Sequence, residues 1–263
     1  MSGTLMSLCT VDALPALPQG WWRAWSLAPA TLVPLLLLAA WALAPTWRSG
    51  LPAGAARRWR LVGLLLLALA LVSPLCRLAA TLAGAHMAQL MVLVAGCALL
   101  AAGWRAPRHA GGARLGAAAT LHGLLLWLWH LPVVYAAALL SGPVHVGLTT
   151  ALALASFAFG RQAFHAGPAQ RGAVLVALLL SLAHTGLLGA LLTFAGTPLY
   201  ALQAPGARAW GLSPLVDQQL AGLIMWVPGG MAYMAAALGV FLRRTPRAPT
   251  MGPRIPTWQR PLR

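Results

Sequence analysis

The residues of this sequence best suited to chemistry are histidines and methionines within apolar segments. His86, Met87, Gln89 and Met91 occur together in the run HMAQLM. On a helix, His86 and Gln89 share one stripe, and Met87 and Met91 share the neighbouring stripe. Imidazole and thioether groups bind copper, and the thioether favours Cu(I). In a second interpretation, the methionines fill gaps between helices and His86 bonds to a neighbour.

Two further histidines and one methionine extend this set from other apolar segments. His130 stands two residues before Pro132, and His145 begins the next apolar segment. Met225 lies in the last apolar segment, on the helical face that also carries Gln218. We predict copper ligands among His86, Met87, His130, His145 and Met225.

Asp217 and Gln218 stand at the start of the last apolar segment. Asp217 is one of only two acidic residues in the chain. A carboxylate in a membrane helix is costly and usually has a partner inside the bundle. We expect Asp217, Gln218 and Gln89 to support the metal ligands through hydrogen bonds or to join helices. The alternative for Asp217 is an ion pair with Arg77 or Arg208.

His122 and His184 are the other histidines within apolar segments. His122 and His130 are eight residues apart, about 80° around a helix, so they need not meet at one ion. We expect a structural role for His122, and a hydrogen bond between helices for His184, whose small neighbours allow close helix contact. A haem held between His122, His130 and His184 is the alternative.

The composition indicates a membrane protein. The chain has 263 residues, 60% of them hydrophobic, and a mean hydropathy of +0.78. Its 18 basic residues, all arginines, give a net charge of +16 but lie in short loops and the C-terminal tail, so we do not expect nucleic-acid binding. Paired carboxylates, a Ser-His-Asp set, an HExxH motif and a phosphate-binding loop are missing from the sequence, and we do not expect an enzyme.

The apolar runs predict an all-α fold, a polytopic integral membrane helical bundle. Seven runs are long enough to cross a hydrocarbon core of about 30 Å, and they are expected to be helices because lipid satisfies no backbone group. The predicted spans are 27–46, 59–76, 86–103, 114–139, 146–163, 172–195 and 216–242. An extracytoplasmic segment (1–26) precedes this transmembrane domain (27–242), and a basic cytoplasmic tail (243–263) follows it.

Two local features qualify this fold. Pro228, Gly229 and Gly230 interrupt the last span, as either a packing kink or a hinge. The three cysteines, Cys9, Cys76 and Cys97, form no CxxC pair, and we expect no disulfide framework.

The arginine distribution predicts the orientation. Fifteen arginines fall on the side of the C-terminus, and only Arg23, Arg77 and Arg208 fall on the other side. The positive-inside rule then places the N-terminus outside and the C-terminus in the cytoplasm. In this orientation His86, His130, His145 and Asp217 lie at one level, near the outer face of the membrane.

Four stretches carry a family resemblance: HMAQLM (86–91), LWLWHLPVVYAAAL (126–139), FAGTPLY (194–200) and LSPLVDQQLAGLIMWVPGGMAYM (212–234). The chain resembles the CtaG-type assembly factors of caa-type cytochrome c oxidases. The resemblance implies a membrane protein of about seven helices that is needed to assemble active haem-copper oxidase and that delivers copper. Leu90 stands where the family pattern usually places a second histidine.

The function expected from these features is copper delivery or insertion during oxidase assembly in the cell inner membrane. The expected partners are cytochrome c oxidase subunits, membrane lipid and periplasmic copper chaperones. Three alternatives remain open: a transporter of copper or another small solute, a haem-binding membrane oxidoreductase, and an oxidase chaperone without a metal.

Overall fold

The computed structural model describes residues 9–10, 15–44, 53–106 and 111–242. All regular structure in these ranges is helical and none is a strand, which confirms the all-α class. The predicted segment 1–26 is described only in part, and the predicted tail 243–263 lies outside the described residues.

Eleven α-helices follow one another in the described ranges. They are α1 (Pro29–Leu43), α2 (Ala53–Leu71), α3 (Pro74–Thr81), α4 (Ala83–Ala102), α5 (Gly112–His130), α6 (Pro132–Leu140), α7 (Gly142–Phe164), α8 (Arg171–Thr193), α9 (Ala204–Ala209), α10 (Pro214–Ile224) and α11 (Gly230–Phe241). A π-helical turn, Met225–Gly229, joins α10 to α11.

Four to six of these units are long and apolar enough to cross a membrane. Four are continuous: Ala83–Ala102, Gly142–Phe164, Pro168–Thr193 and Pro214–Phe241. Two more are bent pairs, α2 with α3 at 46° and α5 with α6 at 78°. The apolar part of α1 is shorter, Thr31–Leu43. The membrane-protein prediction therefore holds, whereas the count of seven spans is not confirmed.

Proline explains both bends. The predicted continuous spans 59–76 and 114–139 break before Pro74 and Pro132, each the first residue of a new helix. Proline has no N–H group and clashes with the preceding turn, so it starts a helix more readily than it continues one. The Ser73 hydroxyl caps the first break by accepting a hydrogen bond from the Leu75 N–H at 3.2 Å.

The Pro228 region does not break the last span. Backbone dihedral angles remain helical through Gly229 and Gly230, and the five residues Met225–Gly229 form one wide turn. A π-helical turn allows the helix to continue past a proline, which has no N–H group to donate. The predicted kink or hinge is thus a π turn inside one span.

Helix α4 lies at the centre of the bundle, where it packs against α2, α3, α7 and α10. Close approach elsewhere depends on glycine. A Cβ atom at Gly189 on α8 would lie 2.7 Å from the carbonyl oxygen of Gly222 on α10. The two backbones therefore touch, as membrane helices with small interfacial residues commonly do.

The described part of the N-terminal segment is tied to one end of the bundle. The N–H of Ala16 donates to the Thr81 hydroxyl at 3.0 Å, and the indole of Trp210 donates to the Ala16 carbonyl at 2.8 Å. Cys9 forms a disulfide with Cys76 on α3. The expectation of no disulfide was wrong, because the pair forms between segments 67 residues apart that no local spacing connects.

Candidate metal centre

Helices α4, α5, α6 and α7 bring together a group of buried side chains that we call the His86 cluster. It comprises His86, Met87, Trp129, His130, Tyr135 and His145. The rings of His86 and His145 are nearly perpendicular, with centroids 6.4 Å apart. The His86 ring also contacts the rings of Trp129 (5.1 Å) and Tyr135 (4.9 Å). The predicted convergence of these distant histidines is therefore observed.

The His86 imidazole has no hydrogen bond of normal geometry within the described residues, although the side chain is 0% exposed. The carbonyl group of Ala79 lies close to the ring, yet neither ring nitrogen bonds to it with normal geometry. Nδ1 of His145, a residue only 4% exposed, likewise has no hydrogen bond of normal geometry among the residues described, although the Ala138 carbonyl lies close to the ring. Buried polar atoms without partners cost stability, typically about 1–3 kcal/mol each. These atoms have electron pairs or protons available for a ligand.

His130 and Met87 present two electron pairs to each other. Nδ1 of His130 lies 2.5 Å from the Leu126 carbonyl oxygen, which can only accept, so Nδ1 carries the proton of the neutral imidazole. Nε2 is then unprotonated, and it lies 3.0 Å from the sulfur of Met87. A thioether has no proton to donate. A cation between these atoms would satisfy both of them, and imidazole with thioether is a donor set that suits Cu(I).

The bend between α5 and α6 places His130 in this position. Because α5 ends at His130, before Pro132, the His130 carbonyl is available to another donor. The Tyr200 hydroxyl supplies that donor at 3.2 Å. Burial raises the pKa of Tyr200, which keeps this hydroxyl protonated and able to donate.

Tyr135, Tyr200 and Gln203 form a layer beside the histidines that the sequence analysis did not assign. The two tyrosine rings stack at 4.0 Å. The Tyr135 hydroxyl donates to Gln203 Oε1 at 2.6 Å, and Gln203 Nε2 donates to the Ala79 carbonyl at 2.6 Å. Tyr200 belongs to the FAGTPLY stretch, whose resemblance was a signal that the segment matters.

Asp217 caps the beginning of α4. Its Oδ2 atom accepts from the Ala83 N–H at 2.7 Å, and its Oδ1 atom accepts from the Gly84 N–H at 3.0 Å. The first N–H groups of a helix lack partners within the helix, and a carboxylate there is favourable. A Cβ atom at Gly84 would lie 3.2 Å from Oδ1, so glycine admits the carboxylate. Asp217 thus joins α10 to the helix that carries His86 and Met87.

Gln218 and Gln89 bond to backbone groups of neighbouring segments. Gln218 Oε1 accepts from the Leu199 N–H, and Nε2 lies 3.4 Å from the Thr197 carbonyl. Gln89 Nε2 donates to the Ala70 carbonyl at 2.9 Å and lies 3.2 Å from the sulfur of Cys9. Both glutamines hold the scaffold around the His86 cluster, and a role towards a metal stays a prediction.

Met225 and Leu90 both lie in the apolar core. Met225 is fully buried in the π-helical turn and belongs to the same packed core as Met87. Leu90, at the position where the family pattern places a histidine, is also buried in that core. The ligand role predicted for Met225 stays a prediction.

His122 lies in a separate polar group, about two turns from His130 along α5. The Ser156 hydroxyl donates to the Leu152 carbonyl at 2.6 Å, so its oxygen accepts from His122 Nδ1 at 3.1 Å. His122 Nε2 then accepts from the Tyr233 hydroxyl at 2.6 Å. Both ring nitrogens are satisfied, as in a structural side chain, which leaves neither nitrogen free for haem iron.

His184 lies against α5 at Gly123. A Cβ atom at Gly123 would come 3.0 Å from Nε2 of His184, so glycine makes room for the ring.

In the described ranges, no group of three or more His, Cys, Asp or Glu side chains is arranged to hold a metal ion. A metal in the His86 cluster would therefore depend on the methionine as well as the histidines.

The helices and the buried histidine–methionine cluster define a polytopic membrane protein rather than a soluble domain. The family of cytochrome c oxidase caa3 assembly factors (Caa3_CtaG) matches residues 113–245, just over half of the chain. The chain belongs to this family and is a cytochrome c oxidase assembly factor. No curated protein and no solved structure matches it. The matched region contains His130 and His145, and the HMAQLM stretch precedes it.

Proposed function

We propose that this assembly factor binds Cu(I) in the His86 cluster and delivers it to a haem-copper oxidase at the outer face of the cell inner membrane. The observation that supports the proposal best is the contact between unprotonated His130 Nε2 and the Met87 sulfur, 3.0 Å apart and buried. His86 adds two ring nitrogens that have no hydrogen bond of normal geometry among the residues described, and the His145 ring lies 6.4 Å from the His86 ring. Periplasmic copper chaperones are the proposed source of the ion.

The outer location rests on two independent features. The arginine distribution favours an external N-terminus. The Cys9–Cys76 disulfide is of a kind that persists in oxidising compartments such as the periplasm and is rare in the cytosol. Cys9 also touches Gln89, one turn along α4 from His86.

Copper binding is tested by replacing the thioether alone. Met87→Leu keeps the volume and apolar character of the side chain but removes the sulfur. We expect its affinity for Cu(I) to fall at least tenfold in a competition titration of purified protein with bicinchoninate. Met234→Leu is the matched control, because Met234 is 50% exposed on the outside of α11 and should bind as the wild type does. Equal affinities for both variants would refute the proposed site.

The alternatives make different predictions. The transporter hypothesis drew on a broken last helix, but Pro214–Phe241 is continuous through its π turn. A haem-binding protein would show a Soret band after purification, although both nitrogens of His122 are already bonded. A chaperone without a metal would support normal oxidase assembly after His86 and His130 are replaced together.

A further inference from the structure

A cavity of about 490 Å³ lies between α1, α2, α4 and α7. Ligand-binding pockets in proteins typically enclose about 300–1,000 Å³, with mostly apolar walls and a few polar groups. His145 lines this cavity as well as belonging to the His86 cluster. We call it the α1–α7 cavity.

The α1–α7 cavity is elongated and has different ends. Thr31, in the first turn of α1, and Thr149, in the second turn of α7, line one end together with His145. Trp41 and Trp104, whose ring centroids are 4.3 Å apart, line the other end. Ten residues of α1 separate Thr31 from Trp41, which corresponds to about 15 Å.

Two polar atoms at the Thr31 end need a partner. Oγ1 of Thr31, a residue 7% exposed, and Nδ1 of His145 make no hydrogen bond of normal geometry to any part of the chain that the structure describes, although the Ala138 carbonyl lies close to the His145 ring. Ordered water needs two to four polar partners, which Thr31, Thr149 and His145 offer at this end but the apolar walls beyond it do not. The arrangement fits a molecule with a small polar head and a long hydrocarbon chain.

Two residues that line the cavity are also exposed on the apolar outer surface of the bundle. Leu154 and Val146 on α7 are 64% and 41% exposed. A membrane amphiphile can therefore reach the cavity laterally, without crossing the aqueous phase.

We propose that the α1–α7 cavity binds a membrane amphiphile whose carbonyl or hydroxyl head lies between Thr31 and His145 and whose hydrocarbon chain extends towards Trp41. An isoprenoid quinone and a diacyl phospholipid both offer this chemistry. A head group bonded to Nδ1 of His145 would also fix the ring, and so position the other nitrogen on the side of His86. The inference does not depend on copper, because it rests on the cavity and its polar atoms alone.

The first test places a larger side chain on α7, in the apolar part of the cavity. Ala153 lines the cavity, whereas Ala158 on the same helix is exposed outside it. Wild type, Ala153→Leu and Ala158→Leu are purified in detergent and titrated separately with decylubiquinone and with a diacyl phosphatidylglycerol, and bound adducts are counted by native mass spectrometry. We expect at least one of these probes to bind saturably to the wild type and to Ala158→Leu, and at least tenfold more weakly to Ala153→Leu.

Thr31→Val tests the position of the head group. The change keeps the shape of the side chain and removes the hydroxyl, so we expect roughly fivefold weaker binding of the same probe. Binding of decylubiquinone alone identifies a quinone site, and binding of the phospholipid alone identifies a lipid site. The proposal is overturned if neither probe binds the wild type, if Ala153→Leu binds as Ala158→Leu does, or if Thr31→Val binds as the wild type does. Melting temperatures of all variants establish that they are folded.

Discussion

Histidines with different surroundings occupy this bundle, and the difference separates candidate ligands from structural side chains. Both nitrogens of His122 are engaged by Ser156 and Tyr233. His86 is at least as buried, but neither of its nitrogens is bonded with normal geometry within the described chain. A bonded histidine contributes to stability, whereas an unbonded buried one costs stability until a ligand satisfies it.

Phenylalanine substitutions should therefore have opposite effects at His86 and His122. We expect His86→Phe to leave the melting temperature of the metal-free protein unchanged or raised, because it removes unsatisfied polar atoms. His122→Phe should destabilise the protein by about 1–3 kcal/mol, because it leaves buried hydroxyl groups without a partner. Thermal unfolding of both variants in chelator-treated buffer measures the difference. A larger loss at His86 than at His122 would contradict this assignment.

At the scale of elements, a side chain from another helix caps the start of α4. Asp217 on α10 receives the N–H groups of Ala83 and Gly84, and it is only 3% exposed. His86, Met87 and Gln89 lie within the first two turns of α4. The carboxylate is the link between the family-matched region and the part of the cluster that lies before it.

Asp217→Asn tests this link. An amide has one acceptor oxygen where the carboxylate has two, so its NH₂ group faces an N–H donor of α4. We expect a loss of about 1–3 kcal/mol in stability, together with weaker Cu(I) binding because α4 shifts. Ser213→Ala is the control, since Ser213 caps α10 itself through the Val216 N–H at 3.2 Å and should leave Cu(I) binding unchanged. Unaltered copper affinity in a destabilised Asp217→Asn protein would restrict Asp217 to packing.

The sequence predicts those parts of the site that follow from helix geometry and depth. The arginine count and the helical rise place His86, His130 and His145 at one level, and the rings of His86 and His145 do meet. Pro132 predicts a bend just beyond His130, but not that Tyr200 bonds to the His130 carbonyl. The Cys9–Cys76 disulfide and the Tyr135–Gln203 hydrogen bond join segments whose contact depends on the complete bundle. No periodicity within one segment encodes such contacts.

At the scale of the whole molecule, the orientation in the membrane decides which compartment the His86 cluster serves. Fifteen arginines on the side of the C-terminus predict that this end is cytoplasmic. A C-terminal fusion to green fluorescent protein should be fluorescent, and the equivalent fusion to alkaline phosphatase should be inactive. The reverse pattern would place the cluster on the cytoplasmic side and exclude delivery at the outer face.

The copper content of the terminal oxidase, purified from strains with and without this protein, tests the central claim most directly. We expect the deletion strain to contain the oxidase polypeptides in a copper-poor, inactive form, restored by the wild-type gene and by Met234→Leu but not by Met87→Leu. An oxidase with full copper content and full activity in the deletion strain would contradict copper delivery by this assembly factor.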